Sequence, residues 1–294
     1  MSVITLSNEH FEVKVNPALG GSVLAFNWLT HPKGKVPILR DASNAESVLE
    51  ASNFPLVPFS NRIKNARFNW QGEEYQIPQN FLPETSAIHG QGWQGAWNVI
   101  EQSDTFLIIE FVGNEDWPFS YNAKQVFELT EKGLTHQMQI TNTGDSEMPA
   151  GLGFHPYFVR TPQASFSAGV DKMWAVDDQC LPTELVDVPM ALNSQQVLAN
   201  DIVLDNGFSG FTGQATVLLP EYATQIAIEA NEQCKFAVIF TPEGEDFFCI
   251  EPVTHCTDAI NMHAQGAEDT GVQALAANES LKISMKLIPS KYQA

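Results

Sequence analysis

Positive charge is what this sequence has least of: 15 Lys and Arg stand against 35 Asp and Glu in 294 residues, a formal charge of −20 with the histidines neutral. A field of that sign repels phosphate backbones and anionic headgroups, which sets nucleic-acid and membrane-surface partners aside and suits a neutral ligand. Long apolar runs are missing too. No window reaches the roughly 20 residues of a spanning helix, and the first nine residues carry no basic stretch leading into an apolar one, so the chain reads as cytoplasmic. Cysteine is sparse: Cys180, Cys234, Cys249 and Cys256 are separated by 54, 15 and 7 positions. None has the two-residue gap of a zinc knuckle or redox pair, so the four read as buried free thiols, with a disulfide left open only by their even number.

Two common chemistries are absent as well. Neither usual form of glycine-rich phosphate loop occurs, and no Gly-x-Ser-x-Gly elbow, which removes the ordinary support for a nucleotide cofactor or for triad hydrolysis. No repeat, low-complexity tract or Pro/Gly/Ser-rich linker divides the chain, so residues 1–294 read as one domain.

What is present is apolar alternation. Leu281, Ile283, Met285 and Leu287 alternate with Lys282, Ser284 and Lys286, the pattern of a strand with one wet face. Residues 105–112 and 235–241 are mostly apolar runs, expected as interior strands of stacked sheets. Residues 67–70 and 73–77 flank Gln71-Gly72, and residues 121–130 meet 133–140 across Glu131-Lys132, both hairpin spacings. Helical signals are few: residues 43–53 offer Ser43 with Glu46 as a capping box, and residues 193–199 offer a turn or two. With no βαβ alternation, the chain is expected to be all-β and antiparallel, with polar chemistry in the loop-like stretches 82–93, 161–171, 197–211 and 254–271.

Some residues sit in unusual surroundings. Glu251 follows Phe247-Phe248-Cys249-Ile250 and precedes Pro252; it reads either as an exposed acid at a strand end or as a partly buried base with a raised pKa. His155 lies in Gly151-Leu152-Gly153-Phe154-His155-Pro156-Tyr157-Phe158, where glycines permit close backbone approach and the proline fixes the chain. It is either a rigidly presented acid beside aromatics that suit a sugar face, or a satisfied core histidine. His89, in Ile88-His89-Gly90-Gln91-Gly92-Trp93, falls in a tight loop suited to binding. Arg62 is one of four arginines, Arg40, Arg62, Arg67 and Arg160, and a scarce fork-shaped donor. His136 shares a face with Leu134, Met138 and Ile140 and reads as a hydrogen-bonded core residue, while His10 and His31 have no partners at ligand spacing. The nearest approach to a metal cluster is His255, Cys256, Asp258 and His263, whose spacing fits no compact zinc pattern, so no metal is assigned.

Asn61-Arg62-Ile63 with Arg67-Phe68 and Gly72, Ile88-His89-Gly90, Phe154-His155-Pro156-Tyr157-Phe158, Leu204-Asp205-Asn206-Gly207-Phe208 and Ile250-Glu251-Pro252 occur in an order that resembles the aldose 1-epimerase (galactose mutarotase) family. The resemblance spans most of the chain. It implies a large antiparallel β-sandwich of the galactose mutarotase-like supersandwich type, with His155 as general acid, Glu251 as general base, and Arg62, His89 and Asp205 holding sugar hydroxyls. It further implies a cofactor-free isomerase acting on a small sugar, as a monomer or homodimer. The histidine motif here is Gly-Phe-His-Pro-Tyr-Phe, where better-known galactose enzymes carry an asparagine and threonine nearby. Three other functions stay in view: a non-catalytic carbohydrate-binding sandwich, a hexose-6-phosphate epimerase using Arg62 and Lys64, and a glycoside hydrolase pairing Asp205 with Glu251.

Overall fold

The C-terminal alternation becomes a strand, Ser280–Lys291, whose Leu281, Ile283, Met285 and Leu287 are buried while Lys282 and Lys286 stay exposed. The computed structural model describes residues 3–192 and 196–292. Among them two large sheets dominate. The nine-stranded sheet runs Asn98–Gln102, Phe106–Val112, Tyr121–Thr130, Gly133–Asn142, Ser280–Lys291, Thr224–Ala230, Gln214–Leu219, Ser165–Ala168, Val197–Leu198. The eight-stranded sheet runs Pro182–Asp187, Lys172–Val176, Asp205–Ser209, Phe236–Phe240, Phe247–Val253, Gly153–Phe154, Pro55–Leu56, with Tyr157–Val159 also paired to Phe247–Val253. All ladders between these strands are antiparallel, as the hairpin spacings require. Between Arg67–Trp70 and Glu73–Gln76 the turn is Gln71-Gly72, both with positive φ, the geometry that matches strand twist.

Inward residues of both sheets share one core, closed by contacts such as Phe166 on Phe248, ring centroids 5.4 Å apart, and His136 on Phe154 at 4.6 Å. The eight-stranded sheet is buried on its other face as well, under a smaller cluster that includes Phe54, Trp93, Tyr157, Val238 and Cys249. This second cover is why the Phe236–Phe240 run is almost continuously buried. Phe106–Val112 behaves differently: it alternates buried and half-exposed, so two-sided burial holds for only one of the two runs expected to have it.

The expected helix over residues 43–53 does not form. Ser43 is engaged elsewhere, its backbone N–H on Asp41 and its Oγ accepting from Lys14, and only a single 3₁₀ turn appears at Val48–Glu50, capped by Ser47. Tertiary bonds override the local signal: Val23 N–H donates to Asn53 and its carbonyl accepts from Ser52 and Asn53. Of the second helical stretch, residues 193–195 lie outside the described residues, Val197–Leu198 is extended, and Ala199–Asp201 forms one 3₁₀ turn. Three expected loops contain strands, Ala87–Ile88, Ser165–Ala168 and Asp205–Ser209, and the fourth contains the α-helix Ala259–Ala264. Asp258 stands at its N-cap but makes no side-chain cap bond.

His136 is the core histidine its strand face predicts. Its Nε2 lies 2.8 Å from Gln125 Oε1 and its Nδ1 3.2 Å from Asn53 Nδ2. Burial lowers its pKa to about 3, and likewise lowers that of His255 to about 4. Both groups bind fewer protons folded than unfolded between those values and about 6.5, so their contribution to stability is complete above about 6.5 and is lost as pH falls. We expect His136→Leu to lose about 2 to 3 kcal/mol less stability than the parent between pH 7 and pH 4.5, at about 1.4 kcal/mol per pH unit for the missing group. Urea unfolding at the two pH values checks this; equal losses would mean that His136 is not held neutral.

Candidate active site

Alternation along Phe247–Val253 sends Phe248 and Ile250 into the shared core and turns Cys249, Glu251 and Val253 to the other face. Glu251 is therefore inside its strand, paired with Val238, and 2% exposed, rather than an acid at a strand end; the ladder continues through Pro252, opposite Ala237. His155 follows Gly153–Phe154 on the neighbouring strand, with its backbone N–H on Asn53 Oδ1 at 3.0 Å. The glycines before it are needed: a Cβ on Gly151 would lie 1.9 Å from His255 Cδ2. These two positions bring His155 Nε2 to 3.3 Å from Glu251 Oε1.

Around this pair is a cleft of about 170 Å³ that Arg62, His89, His155, Asp205 and Glu251 all line. Asp205 opens the strand Asp205–Ser209, opposite Phe240, and so faces the cleft from a sheet rather than from the loop expected. Arg62 and His89 come from the two-stranded pairing of Arg62–Ile63 with Ala87–Ile88. His89 itself has φ +58, a strained conformation, and is held from several sides. Its N–H donates to Asn61 O at 2.9 Å and its Nδ1 accepts the Asn61 N–H at 3.1 Å. Nδ1 is thereby an acceptor, so the proton of the neutral ring sits on Nε2. The loop closes through Gly90, where a Cβ would meet Val57 O at 2.2 Å.

Burial sets the electrostatics. The Glu251 carboxyl is pushed well above the ordinary range by burial and by the Asp205 charge, with Arg62 opposing. Burial, with Arg40 adding to it, lowers His155 to about 3, and burial with His155 and Arg62 lowers His89. Burial thus disfavours both imidazolium and carboxylate, which favours one proton shared between His155 and Glu251 across 3.3 Å. Such a pair can take a proton at one oxygen of a ligand while giving one at another.

Several contributors had no motif to mark them. Glu84 accepts from Arg62 Nε and Nη2, both at 2.9 Å, and so aims the fork. Phe54 packs at 4.5 Å from His155, 5.6 Å from Trp93 and 5.9 Å from His89, forming the apolar floor. Cys180 is half-buried rather than buried, its thiol beside Asp205 and Arg62. The other three cysteines are buried, and all four are free. The residues His255, Cys256, Asp258 and His263 do not gather: His255 spends both ring nitrogens on Ser60 N–H and Cys256 O, Asp258 accepts from Lys64 and Asn261, and His263 packs on Trp70. His155, Cys249 and Glu251 place donor atoms within 4.8 Å of one another, and burial and Glu251 push the Cys249 thiol well above its usual pKa.

Comparison with known proteins agrees with the fold. The sequence profile of the aldose 1-epimerase family matches residues 2–287. The uncharacterised protein YphB of Escherichia coli is 33% identical over 297 residues, covering 98% of each chain. A solved structure from Escherichia coli K12, described as a candidate aldose 1-epimerase, superposes with a TM-score of 0.90 at 32% identity over 99% of both chains. A galactose mutarotase-like protein from Clostridium acetobutylicum shares the fold, with a TM-score of 0.87 at 22% identity over 98% of this chain and 95% of its own. With its antiparallel sandwich and a profile match over nearly its whole length, this chain is a member of the aldose 1-epimerase family.

Proposed function

We propose that this protein is a mutarotase, interconverting the α and β anomers of a free aldose by acid–base ring opening and reclosure. The observation that carries the reading is His155 Nε2 at 3.3 Å from Glu251 Oε1, buried at the base of a monosaccharide-sized cleft. Glu251 takes the proton of the C1 hydroxyl while His155 gives one to the ring oxygen; the ring opens to an aldehyde, C1–C2 rotates, and reclosure reverses both transfers. The pair ends each cycle with the one proton it began with, so no cofactor is required. His89 donates its Nε2–H to a sugar hydroxyl, Asp205 accepts from one, and Arg62, aimed by Glu84, favours the carboxylate form of Glu251 that accepts the proton. Phe54 and Trp93 offer apolar faces to sugar C–H groups. The cleft, at about 170 Å³, is smaller than the roughly 300 to 1,000 Å³ usual for drug-sized ligands, which suits one sugar ring rather than a glycan held across two carboxylates.

A phosphorylated sugar fits less well. Arg62 already spends its fork on Glu84, and Lys64 lines a separate depression with Arg67 and Asp258. The adjoining depression, which shares Tyr157 and Phe240 with the cleft, carries Asp41, Glu50, Glu245 and Asp246 against Arg40 alone. Polarimetry of freshly dissolved α-glucose and α-galactose, with the uncatalysed rate subtracted, tests the reading. We expect acceleration of a free aldose and little competition from its 6-phosphate. No acceleration with any of several free aldoses would instead favour a non-catalytic sugar-binding module.

A further inference from the structure

One aromatic ring beside the dyad carries two partners. The His155 imidazole lies parallel to the Tyr157 ring, with centroids 4.7 Å apart and planes 10° apart. The Arg40 guanidinium carbon stands 3.7 Å from the same ring centroid and 4.6 Å from that of Phe247. Arg40 is itself fixed: Nε and Nη2 donate to Ala51 O at 3.0 and 2.7 Å, Nη2 also to Leu49 O at 2.6 Å, and its backbone N–H to Tyr157 O at 2.9 Å. Its fork is spent on carbonyls, and among the described residues it forms no ion pair; Asp246 and Glu245 act on it only from beyond ion-pair distance. A guanidinium on an aromatic face is both an attractive contact and a rigid one.

We propose that Arg40 is a positioning residue of this site: acting through Tyr157, it holds the plane of the His155 imidazole and sets a fixed positive charge beside it. The other groups around His155 are Glu251 at 3.3 Å, the His89 ring at 5.4 Å, the Phe54 ring at 4.5 Å and the Cys249 thiol. Of these only Glu251 offers a negative charge that would favour imidazolium, and Arg40 opposes it. The burial-lowered pKa of His155, to which Arg40 contributes, agrees with this. The kinetic consequence rests on the mutarotase reading; the consequence for proton affinity does not.

The test pairs Arg40→Gln, which keeps donor groups near Leu49 and Ala51 but removes the charge, with Arg40→Lys, which keeps the charge but not the flat fork. Histidine side-chain NMR of the whole protein, followed from pH 7 downward, reads His155 directly. In Arg40→Gln the onset of imidazolium should move up by about one pH unit, the size expected of a lost neighbouring charge, and kcat should fall roughly tenfold with KM nearly unchanged. In Arg40→Lys the onset should stay at the parent value while kcat again falls. Folded variants with the parent onset and the parent kcat would overturn the proposal and leave Arg40 as a brace for the turn at Leu49. If Arg40→Gln does not fold, Arg40→Lys decides alone, since an unchanged kcat there contradicts the claim. A parent protein with no activity on any aldose defeats the functional reading; an unmoved His155 signal defeats this one.

Discussion

Glu251→Gln should lower kcat by about 10² to 10⁴ while leaving sugar affinity within a few-fold of the parent, the range that positioned proton transfer contributes. The amide keeps the shape of the carboxyl and can still bond to a hydroxyl, but it has no lone pair basic enough to take the C1 proton. Folding should not suffer, because Glu251 is a buried carboxyl whose charged form burial disfavours, and a neutral side chain of equal size removes that cost. Steady-state polarimetry with calorimetric sugar titration separates the two effects. Parent-like turnover would rule out Glu251 as the base and move the role to Asp205, which lines the same cleft.

His155→Asn should cost a similar factor in kcat, about 10² to 10⁴, for loss of the acid at the ring oxygen. It also decides between the two readings its sequence context left open. A core histidine uses its ring nitrogens, as His255 does with Ser60 and Cys256. Among the described residues, His155 instead has no protein partner for Nδ1 and is anchored through its backbone N–H on Asn53 and Phe54. The variant should therefore fold, with a melting temperature a few degrees below the parent from lost packing on Tyr157 and Phe54. Gross unfolding would restore the core reading.

The parts of this site that could be read from sequence are those written in consecutive residues. Gly151 and Gly153 announce close backbone approach, and the run before Glu251 announces a carboxyl near a core. Alternation in Ser280–Lys291 announces a one-sided strand. What could not be read depends on long-range pairing. Arg40 meets Tyr157 across 117 positions, and Glu84 meets Arg62 across 22 positions with no motif to link them. The Ser43 capping pattern was locally sound and failed because Asn53 belongs to Val23. Burial also changes an assignment that residue type suggests. Ordinary pKa values place the carboxyl on the acidic limb and the imidazole on the basic limb of a rate profile. In the buried pair the imidazole is pushed down to about 3 and the carboxyl up, so each limb belongs to the pair and neither to one residue alone.

That pair is the central claim, and the pH dependence of kcat/KM in the parent and in Glu251→Gln tests it most directly. The parent should give a bell: activity is lost on the acidic side when the pair takes a second proton and on the basic side when it loses its only one. Glu251→Gln has only the imidazole left to titrate there. Its residual activity should lose the acidic limb and fall along a single limb as pH rises through the His155 midpoint. A bell with both midpoints unchanged in Glu251→Gln would contradict the account, because the two protons would then belong to groups other than His155 and Glu251.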